Sequence, residues 1–285
     1  MGAAVFPGLF VLLRSTGFIA SKYGLPYAPP YAFLAWRFAL VAGLMVVVAL
    51  ATRAAWPKSL REYADLAVVA ILVHALYLGG VFVSLDGGMA AGTSAMLVGL
   101  QPLLTVVLAH LWMKESVSAR QWIGLALGLA GVYFVVRHKI DLRGDLRGLV
   151  PSAVALAGIS VGTLYQKRRC AHVDLRSGSA VQFTVCALLF VPLALALDTR
   201  AVQWTGNFVF ALSWSVLVLS VGAITLLYWL LRHGAAANVA RLFYLVPPVT
   251  ALEAYLLFGE TLDAWALIGM VLICLGVMLA RRTVK

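Results

Sequence analysis

Long apolar runs follow one another along the whole chain, separated by short breaks that contain charged residues, glycine or proline. A helix needs roughly 20 apolar residues to cross the hydrocarbon layer of a bilayer, so runs of this length indicate membrane-spanning helices. The connections between the runs are too short to form a soluble domain. The pattern therefore predicts an all-α integral membrane protein with ten transmembrane helices, near residues 4–22, 31–51, 64–84, 89–111, 120–137, 148–167, 178–198, 208–231, 234–258 and 263–280.

The second half of the chain resembles the first half when the sequence is shifted by 145 positions. Apolar residues match easily by chance in such a chain, but this shift also aligns charged residues, prolines and spaced glycines. The most informative pairs are Lys22 with Lys167, Pro102 with Pro247, Glu115 with Glu260, Gly124 with Gly269 and Gly131 with Gly276. The sequence thus predicts two repeats, residues 1–140 and residues 141–285.

Each predicted repeat contains five spans, which is an odd number, so the second repeat must enter the membrane upside down relative to the first. Inverted repeats of this kind are a common design of secondary transporters, and their substrate site lies near the bilayer midplane where the repeats meet. A receptor or a structural membrane protein has no comparable need for two inverted halves. The repeat is therefore the strongest functional signal in the pattern of residues.

The composition agrees with a membrane protein, because 63% of the residues are hydrophobic and 12% are charged, against roughly 25% charged residues in soluble domains. The net charge of +11 does not indicate nucleic acid binding, since the basic residues lie in short loops between apolar runs. Loops on the N-terminal side of the membrane hold roughly twice as many Lys and Arg residues as loops on the other side, although the basic 137–147 loop is an exception. The expected location is the cell inner membrane, with both termini in the cytoplasm and the first apolar segment retained as a helix.

Sequence motifs of enzymes are absent: the chain has no GxSxG elbow, HExxH pair, P-loop or dinucleotide-binding glycine motif. The three cysteines show no metal-ligand spacing and no disulfide framework. We therefore expect no cofactor, no metal and no enzymatic activity, and transport that is passive or ion-coupled. A membrane-embedded enzyme and a channel are the alternatives from other classes.

Three groups of residues resemble the EamA family of the drug/metabolite transporter superfamily. They are Ser15–Lys22, Leu34–Phe38 and the two blocks in which Pro, Glu and two spaced Gly residues recur. The resemblance covers nearly the whole chain as two copies of the family unit. It implies a ten-helix inner-membrane carrier that often exports amino acids or other small metabolites, with a cavity lined mainly by spans 3, 4, 8 and 9 and by parts of spans 1 and 6. Similar proteins usually carry Trp at position 14, so the resemblance assigns no role to Arg14.

Polar and aromatic residues inside the spans are candidates for lining a substrate cavity, because polar groups in hydrocarbon face the protein interior or water. Arg241 can bind a carboxylate with two hydrogen bonds, or it can reach to the cytoplasmic surface. His74 can line the cavity, take part in proton coupling, or be an interior residue bonded to the backbone. The candidate substrate-binding residues are His74, Tyr77, Thr93, Met96, Tyr165, Thr225, Trp229, Asn238 and Arg241.

Three prolines are predicted in the middle of spans, where a proline removes a backbone hydrogen bond and bends the helix. Pro102, Pro247 and Pro248 are therefore candidate gating hinges, or they simply shape the bundle. The segment Gly124–Gly128 has the small-xxx-small spacing that lets helices approach closely. It can pack within the chain or between two copies, so the expected state is a monomer or a homodimer.

Four further charged residues have less certain roles. Arg14 and Arg37 lie inside predicted spans, and we favour a structural pairing for both over substrate contact. Glu253 is also inside a span and can titrate, unless it is exposed near the helix end. Glu260, like its repeat partner Glu115, is expected in the turn before a helix, where an acid suits the N-terminus of that helix.

The sequence therefore predicts a secondary transporter that exports amino acids, with aromatic or other neutral amino acids favoured, by alternating access. The predicted partners are a small-molecule substrate and the lipid bilayer. The alternative within transport is an exporter of other small metabolites or drugs, and the alternative of another class is a membrane-embedded enzyme.

Overall fold

The computed structural model describes residues 2–114, 116–136, 146–222, 245–261 and 263–279. All regular structure in these ranges is helical, which confirms the predicted all-α class for this part of the chain. Five helical segments are long and apolar enough to cross a membrane: Pro30–Ala51, Leu60–Asp86, Ala91–Trp112, Arg147–Arg169 and Leu175–Leu197. Shorter apolar helices lie at Ala119–Val135, Gly206–Ser220, Val246–Phe258 and Ala264–Leu279.

The helices are numbered in chain order, and two π-helical segments are called π1 and π2. The first half contains α1 (Gly2–Gly24), α2 (Pro30–Ala51), α3 (Leu60–Val69), π1 (Ala70–Leu76), α4 (Tyr77–Asp86), α5 (Ala91–Val98), α6 (Gln101–Met113) and α7 (Ala119–Val136). The second half contains α8 (Leu146–Arg169), α9 (Leu175–Leu197), α10 (Gly206–Ser213), π2 (Trp214–Gly222), α11 (Val246–Phe258) and α12 (Ala264–Leu279).

Short polar side chains fix several helix starts by accepting hydrogen bonds from backbone N–H groups that have no partner inside the helix. Ser59 Oγ accepts from Glu62 N at 3.2 Å at the start of α3. Thr205 Oγ1 accepts from Phe208 N at 3.3 Å at the start of α10. Asp263 Oδ1 accepts from Ala266 N at 2.7 Å at the start of α12. These caps set the ends of helices whose interiors are almost entirely apolar.

The third predicted span, residues 64–84, is longer and less regular than expected. It begins at Leu60, ends at Asp86, and changes from α-helix to the wider π-helix over π1. A second π-helical segment, π2, follows α10. The 145-residue shift places π1 within π2, so the same irregularity occurs at matching positions in the two halves. Segments of π-helix are rare and are frequent at functional sites.

The fourth predicted span is broken into two helices. Helix α5 ends at Val98, Gly99 and Leu100 form a turn, and α6 begins at Gln101 with Pro102 in its first turn. Pro102 therefore starts a helix rather than bending the middle of a continuous one, and a first-turn proline loses no internal hydrogen bond. Helix α11 also begins with prolines in its first turn, at Pro247 and Pro248; residues 234–244 of the predicted ninth span lie outside the described residues.

Two pairs of helices from opposite halves pack along each other: α2 with α9, and α7 with α12. Phe38 and Phe183 face each other between α2 and α9, with ring centroids 6.1 Å apart. Helices α7 and α12 approach through glycine: a Cβ atom on Gly269 would lie 2.5 Å from Gly131 O, and one on Gly276 would lie 2.5 Å from Gly124 O. The small-residue face of α7 thus packs within the chain.

The outer faces of the helices are apolar as well as the inner faces. In α9, Phe183 and Phe190 are buried, while Leu188 and Leu195 on the opposite side are 72% and 85% exposed. Large aliphatic side chains on the outside of a bundle suit contact with lipid, where they do not need to be hidden from water. The polar side chains described below lie between the helices instead.

Candidate functional site

His74 of π1 and Gln182 of α9 form a polar pair inside the bundle. The His74 Nε2 and Gln182 Oε1 atoms are 3.1 Å apart. The imidazole also lies against the Phe183 ring, with centroids 4.5 Å apart and ring planes tilted by 31°. The amide oxygen can only accept a hydrogen bond, so His74 Nε2 donates and this bond sets the tautomer of His74. Aromatic neighbours surround the pair where α2, π1 and α9 meet.

Arg37 of α2 lies close to this pair and is buried, with 7% of its surface exposed. Tyr77 of α4, Arg14 of α1 and His74 are within electrostatic range of its guanidinium group. Its Nε atom is buried and has no hydrogen-bond partner among the described residues. A buried polar group without a partner is rare, and a guanidinium group matches the geometry of a carboxylate. This arrangement can hold an anionic group between α1, α2 and α4.

Three serines, Ser84, Ser94 and Ser152, link α4, α5 and α8. Ser152 Oγ is 2.7 Å from Ser84 Oγ and 3.4 Å from Ser94 Oγ. All three side chains are fully buried, and the adjacent Thr93 is 1% exposed. Hydroxyl groups that pair across helices are a common way to satisfy polar groups within a membrane bundle. They hold α5 against α8 and α4.

Helix α5 and the turn that follows it pack against the first part of α11. A Cβ atom on Gly99, directly after α5, would lie 2.7 Å from Pro247 Cγ, and one on Gly92 would lie 3.2 Å from Ala251 Cα. Met96 is fully buried between these contacts, in a cluster that includes Leu100, Ala251 and Ile273. The break between α5 and α6 therefore meets the start of α11 inside the bundle, where the freed backbone groups of the break must be satisfied by protein or by cavity water.

The predicted site residues fall into three places. His74 and Tyr77 lie around Arg37, whereas Thr93 and Met96 lie along α5, with Met96 facing α11 and α12. Tyr165 lies near the end of α8, where its hydroxyl group donates to Asp65 of α3. The remaining predicted residues lie outside the described residues: Thr225, Trp229, Asn238 and Arg241.

Several polar residues that the sequence analysis did not select are part of this interior. Gln182, Ser84 and Ser152 are buried and hydrogen-bonded. Their signal in the sequence is simply that each is a polar residue within an apolar run, which is reason enough to consider it. Serine and glutamine carry no charge and belong to no motif here, so the sequence carries no stronger signal for them.

Glu260 lies in the turn after α11 as expected, but the helix that it caps was predicted wrongly. Its carboxylate accepts hydrogen bonds from Ala91 N at 2.9 Å and Gly92 N at 3.2 Å, at the start of α5. It also pairs with Lys22 at the end of α1. The following helix, α12, is capped by Asp263 instead. Glu260 thus joins α1, α5 and α11 at one end of the bundle.

Helix α11 also packs against α1, and Glu253 of α11 lies in this contact. Ser15 Oγ lies 2.7 Å from Glu253 Oε1, and the second carboxyl oxygen of Glu253 is buried without a hydrogen-bond partner among the described residues. The carboxyl group lies between helices rather than at an open helix end. Within the described residues, no group of three or more His, Cys, Asp or Glu side chains could hold a metal ion.

Known proteins that are similar to this chain are membrane transporters. The uncharacterized transporter YvbV of Bacillus subtilis is 26% identical over 284 residues, covering 99% of this chain and 92% of that protein. A probable amino-acid metabolite efflux pump of Salmonella typhimurium is 26% identical over 282 residues, covering 94% and 91%. A probable terminal-alkyne amino-acid exporter of Streptantibioticus cattleyicolor is 29% identical over 199 residues, covering 67% and 64%.

The fold also has a counterpart among solved structures. A crystal structure with 17% sequence identity aligns with a TM-score of 0.67 and covers 97% of this chain and 95% of that chain; at this identity the likeness shows the fold alone. The sequence model of the EamA-like transporter family matches residues 5–137 and again residues 147–282. Together with the apolar helices, these matches identify a multi-pass membrane transporter, and the chain belongs to the EamA-like transporter family.

Proposed function

We propose that this transporter exports amino acids, with aromatic and other neutral amino acids favoured, across the inner membrane by alternating access. The observation that carries the proposal is the break between α5 and α6, which lies against the start of α11 where Gly99 meets Pro247. In secondary transporters, broken helices at the interface of two repeats supply backbone groups for the substrate, and movement of one repeat against the other opens the site to each side in turn.

The proposal includes ten membrane spans arranged as two inverted repeats, residues 1–140 and 141–285. The contacts between α7 and α12 support it. In the 145-residue shift Gly124 matches Gly269 and Gly131 matches Gly276, and the observed contacts join Gly131 to Gly269 and Gly276 to Gly124. A two-fold axis relating inverted halves turns each of these contacts into the other. The two separate matches to the family, at 5–137 and 147–282, also support a duplication.

The choice of an amino acid as substrate rests on two lines of support. Two relatives carry names that refer to amino-acid efflux or export, although the YvbV relative has no stated substrate. The interior also offers a guanidinium group, Arg37, beside aromatic residues and a histidine. We add Arg37 to the proposed site, as a partner for the substrate carboxylate, because a carboxylate can satisfy its unpaired nitrogen.

The proposed substrate cavity is lined by His74, Tyr77, Thr93, Met96, Tyr165, Thr225, Trp229, Asn238 and Arg241. The proposed hinges are at Pro102, Pro247 and Pro248, because each lies in the first turn of a helix, α6 or α11. Among the described candidates, Tyr165 has the weakest support, since its hydroxyl group is already bound to Asp65.

Transport by purified protein in liposomes tests the proposed function. We expect saturable counterflow of a labelled neutral amino acid, with competition by aromatic amino acids, and reduced affinity in His74→Ala and Arg241→Ala variants. Leu188→Ala on the exposed face of α9 serves as a control for reconstitution. If none of the amino acids produces saturable flux while other metabolites or drugs do, the substrate assignment is wrong. If no solute shows counterflow, the carrier mechanism itself is wrong.

The proposed orientation places both termini in the cytoplasm of the cell, because basic residues are more frequent in the loops of that side. Reporter fusions at the N- and C-termini test this directly, using one reporter that is active in the cytoplasm and one that is active outside it. Activity of the external reporter at either terminus would contradict the proposed topology. Cross-linking or mass measurement in detergent distinguishes the two expected states, monomer and homodimer.

A further inference from the structure

The contact between α1 and α11 contains more acceptors than hydroxyl protons. Ser15 Oγ lies 2.8 Å from the Leu12 carbonyl oxygen and 2.7 Å from Glu253 Oε1. A serine hydroxyl carries one proton, a carbonyl oxygen carries none, and an ionised carboxylate carries none. If the Ser15 hydroxyl donates to Leu12 O, as serines within helices commonly do, the short contact with Glu253 needs a proton from the carboxyl group.

The surroundings of Glu253 also disfavour its charged form. Its Oε2 atom is buried and has no hydrogen-bond partner among the described residues. Besides Glu253, helix α11 carries two polar side chains, Thr250 and Tyr255, and its neighbour α5 contributes no ionisable side chain. A carboxylate that is removed from water without a cation or several hydrogen bonds is strongly unfavourable, and the group takes up a proton instead.

The ionisable groups of α1, the other helix packed against α11, do not neutralise Glu253. Lys22 pairs with Glu260, and Arg14 lies within electrostatic range of Arg37 and His74. The Tyr23 hydroxyl group donates to Asn207 Oδ1 at 3.1 Å. Among the described residues, the hydrogen-bond partner of Glu253 is Ser15.

We propose that Glu253 is a proton-binding site: it holds a carboxyl proton in this structure and releases it during the transport cycle. In this state the Glu253 O–H donates to Ser15 Oγ, and the Ser15 O–H donates to Leu12 O. When α1 and α11 separate and water enters, the carboxyl proton passes to water and leaves a carboxylate, which must be reprotonated before the contact closes again.

The position of Glu253 explains how proton release accompanies substrate movement. Glu253 is on α11, the helix whose first turn contains Pro247 at the crossing with α5. A rigid helix that moves at its start also moves at Glu253, about two turns away. This coupling rests on the proposed carrier function, in which that crossing contributes to the substrate site. Export of substrate is then coupled to uptake of a proton.

Glu253→Gln tests both parts, because glutamine is uncharged and its N–H can donate to Ser15 Oγ. In infrared difference spectra of purified protein at neutral pH, we expect a protonated-carboxyl band that is absent from Glu253→Gln and present in the control Glu62→Gln. In liposomes, we expect Glu253→Gln to keep substrate counterflow, which needs no net proton movement, and to lose the stimulation of net flux by a pH gradient.

The possible outcomes test the proton-binding role of Glu253 independently of the substrate assignment. A carboxyl band that is unchanged in Glu253→Gln overturns the protonated state, and a pH-gradient response equal to that of the wild type overturns the coupling. A wild-type protein that transports no amino acid refutes the proposed substrate, and the infrared comparison still decides whether Glu253 carries a proton. Elution and melting profiles matched to the wild type show that the variant is folded.

Discussion

Alanine substitution at Gly269 probes a close backbone contact between the two halves of the chain. A Cβ atom there would lie 2.5 Å from Gly131 O, 2.7 Å from Val135 Cγ2 and 2.9 Å from Val135 N. Two of these three atoms belong to the backbone of α7, so a side-chain rotation cannot relieve the clash. Ordinary contacts of this kind begin near 3.4 Å. The helices must therefore move apart by roughly 0.9 Å, and a gap of that size forfeits a quarter to a half of the dispersion energy of nearby atom pairs.

The expected magnitude follows from two opposing effects. Forcing an extra methyl group into a closely packed contact costs about 1–3 kcal/mol. Replacing glycine by alanine inside a helix returns about 0.5–1 kcal/mol through backbone entropy. We therefore expect Gly269→Ala to lower the stability by up to about 2.5 kcal/mol, and Gly276→Ala, whose Cβ would lie 2.5 Å from Gly124 O, to lower it by a similar amount.

Gly43→Ala in α2 is the matched control, because a Cβ atom at Gly43 has no other atom within 4 Å. The control keeps the entropic gain and lacks the clash, so its stability should equal or exceed that of the wild type. The assay is unfolding of the purified protein in detergent by heat or by denaturant, with the free energy taken from reversible conditions. Equal stabilities of Gly269→Ala and Gly43→Ala would refute the argument that a backbone contact requires glycine at this crossing.

Three other substitutions test separate parts of the structure. Glu260→Ala removes two hydrogen bonds to the start of α5 and the ion pair with Lys22. The substitution should lower the unfolding free energy by about 2–3 kcal/mol. A loss of stability smaller than that of an exposed glutamate variant would contradict the capping role. The Arg176 guanidinium beside Asp174 lowers the pKa of Asp174; this stabilisation is present at neutral pH and is lost as the pH falls below about 4 through the lowered pKa. Asp174→Asn should therefore reduce the change in melting temperature between neutral and acid pH, and an unchanged difference would show that the pair contributes nothing. Arg37→Gln should weaken binding of an amino acid by roughly tenfold or more and leave binding of its carboxamide analogue unchanged; equal effects on both ligands would indicate a structural role.

The all-helical class followed directly from the sequence, because a lipid-embedded backbone has to satisfy its hydrogen bonds internally and a helix does so within one segment. Irregular backbone was harder to predict. Nothing in the run from Leu60 to Asp86 marks the change to π-helix at π1, since the apolar residues there fit either helix. Pro102 predicted a bend within one continuous span, whereas the structure has a break there, with α5 ending at Val98 and α6 beginning at Gln101.

The candidate site could be predicted only as a set of unusual residues. His74 and Tyr77 stood out because they are polar or aromatic residues within apolar runs, and they lie together near Arg37. Gln182, the partner of His74, is 108 residues away along the chain, and no local pattern joins the two. Tyr165 had the same appearance in the sequence as Tyr77, but its hydroxyl group is bound to Asp65.

The sequence by itself determined which segments are helical, since long apolar runs have no other stable form in a membrane, and it determined the spacing of the glycines that allow close packing. The tertiary structure decided which surfaces meet. Glu260 caps α5 rather than the helix that follows it, and Glu253 meets Ser15, 238 residues earlier in the chain. The physical reason is that helix formation depends on residues within a few positions of each other, whereas the partner of a buried charge depends on how all the helices fill space.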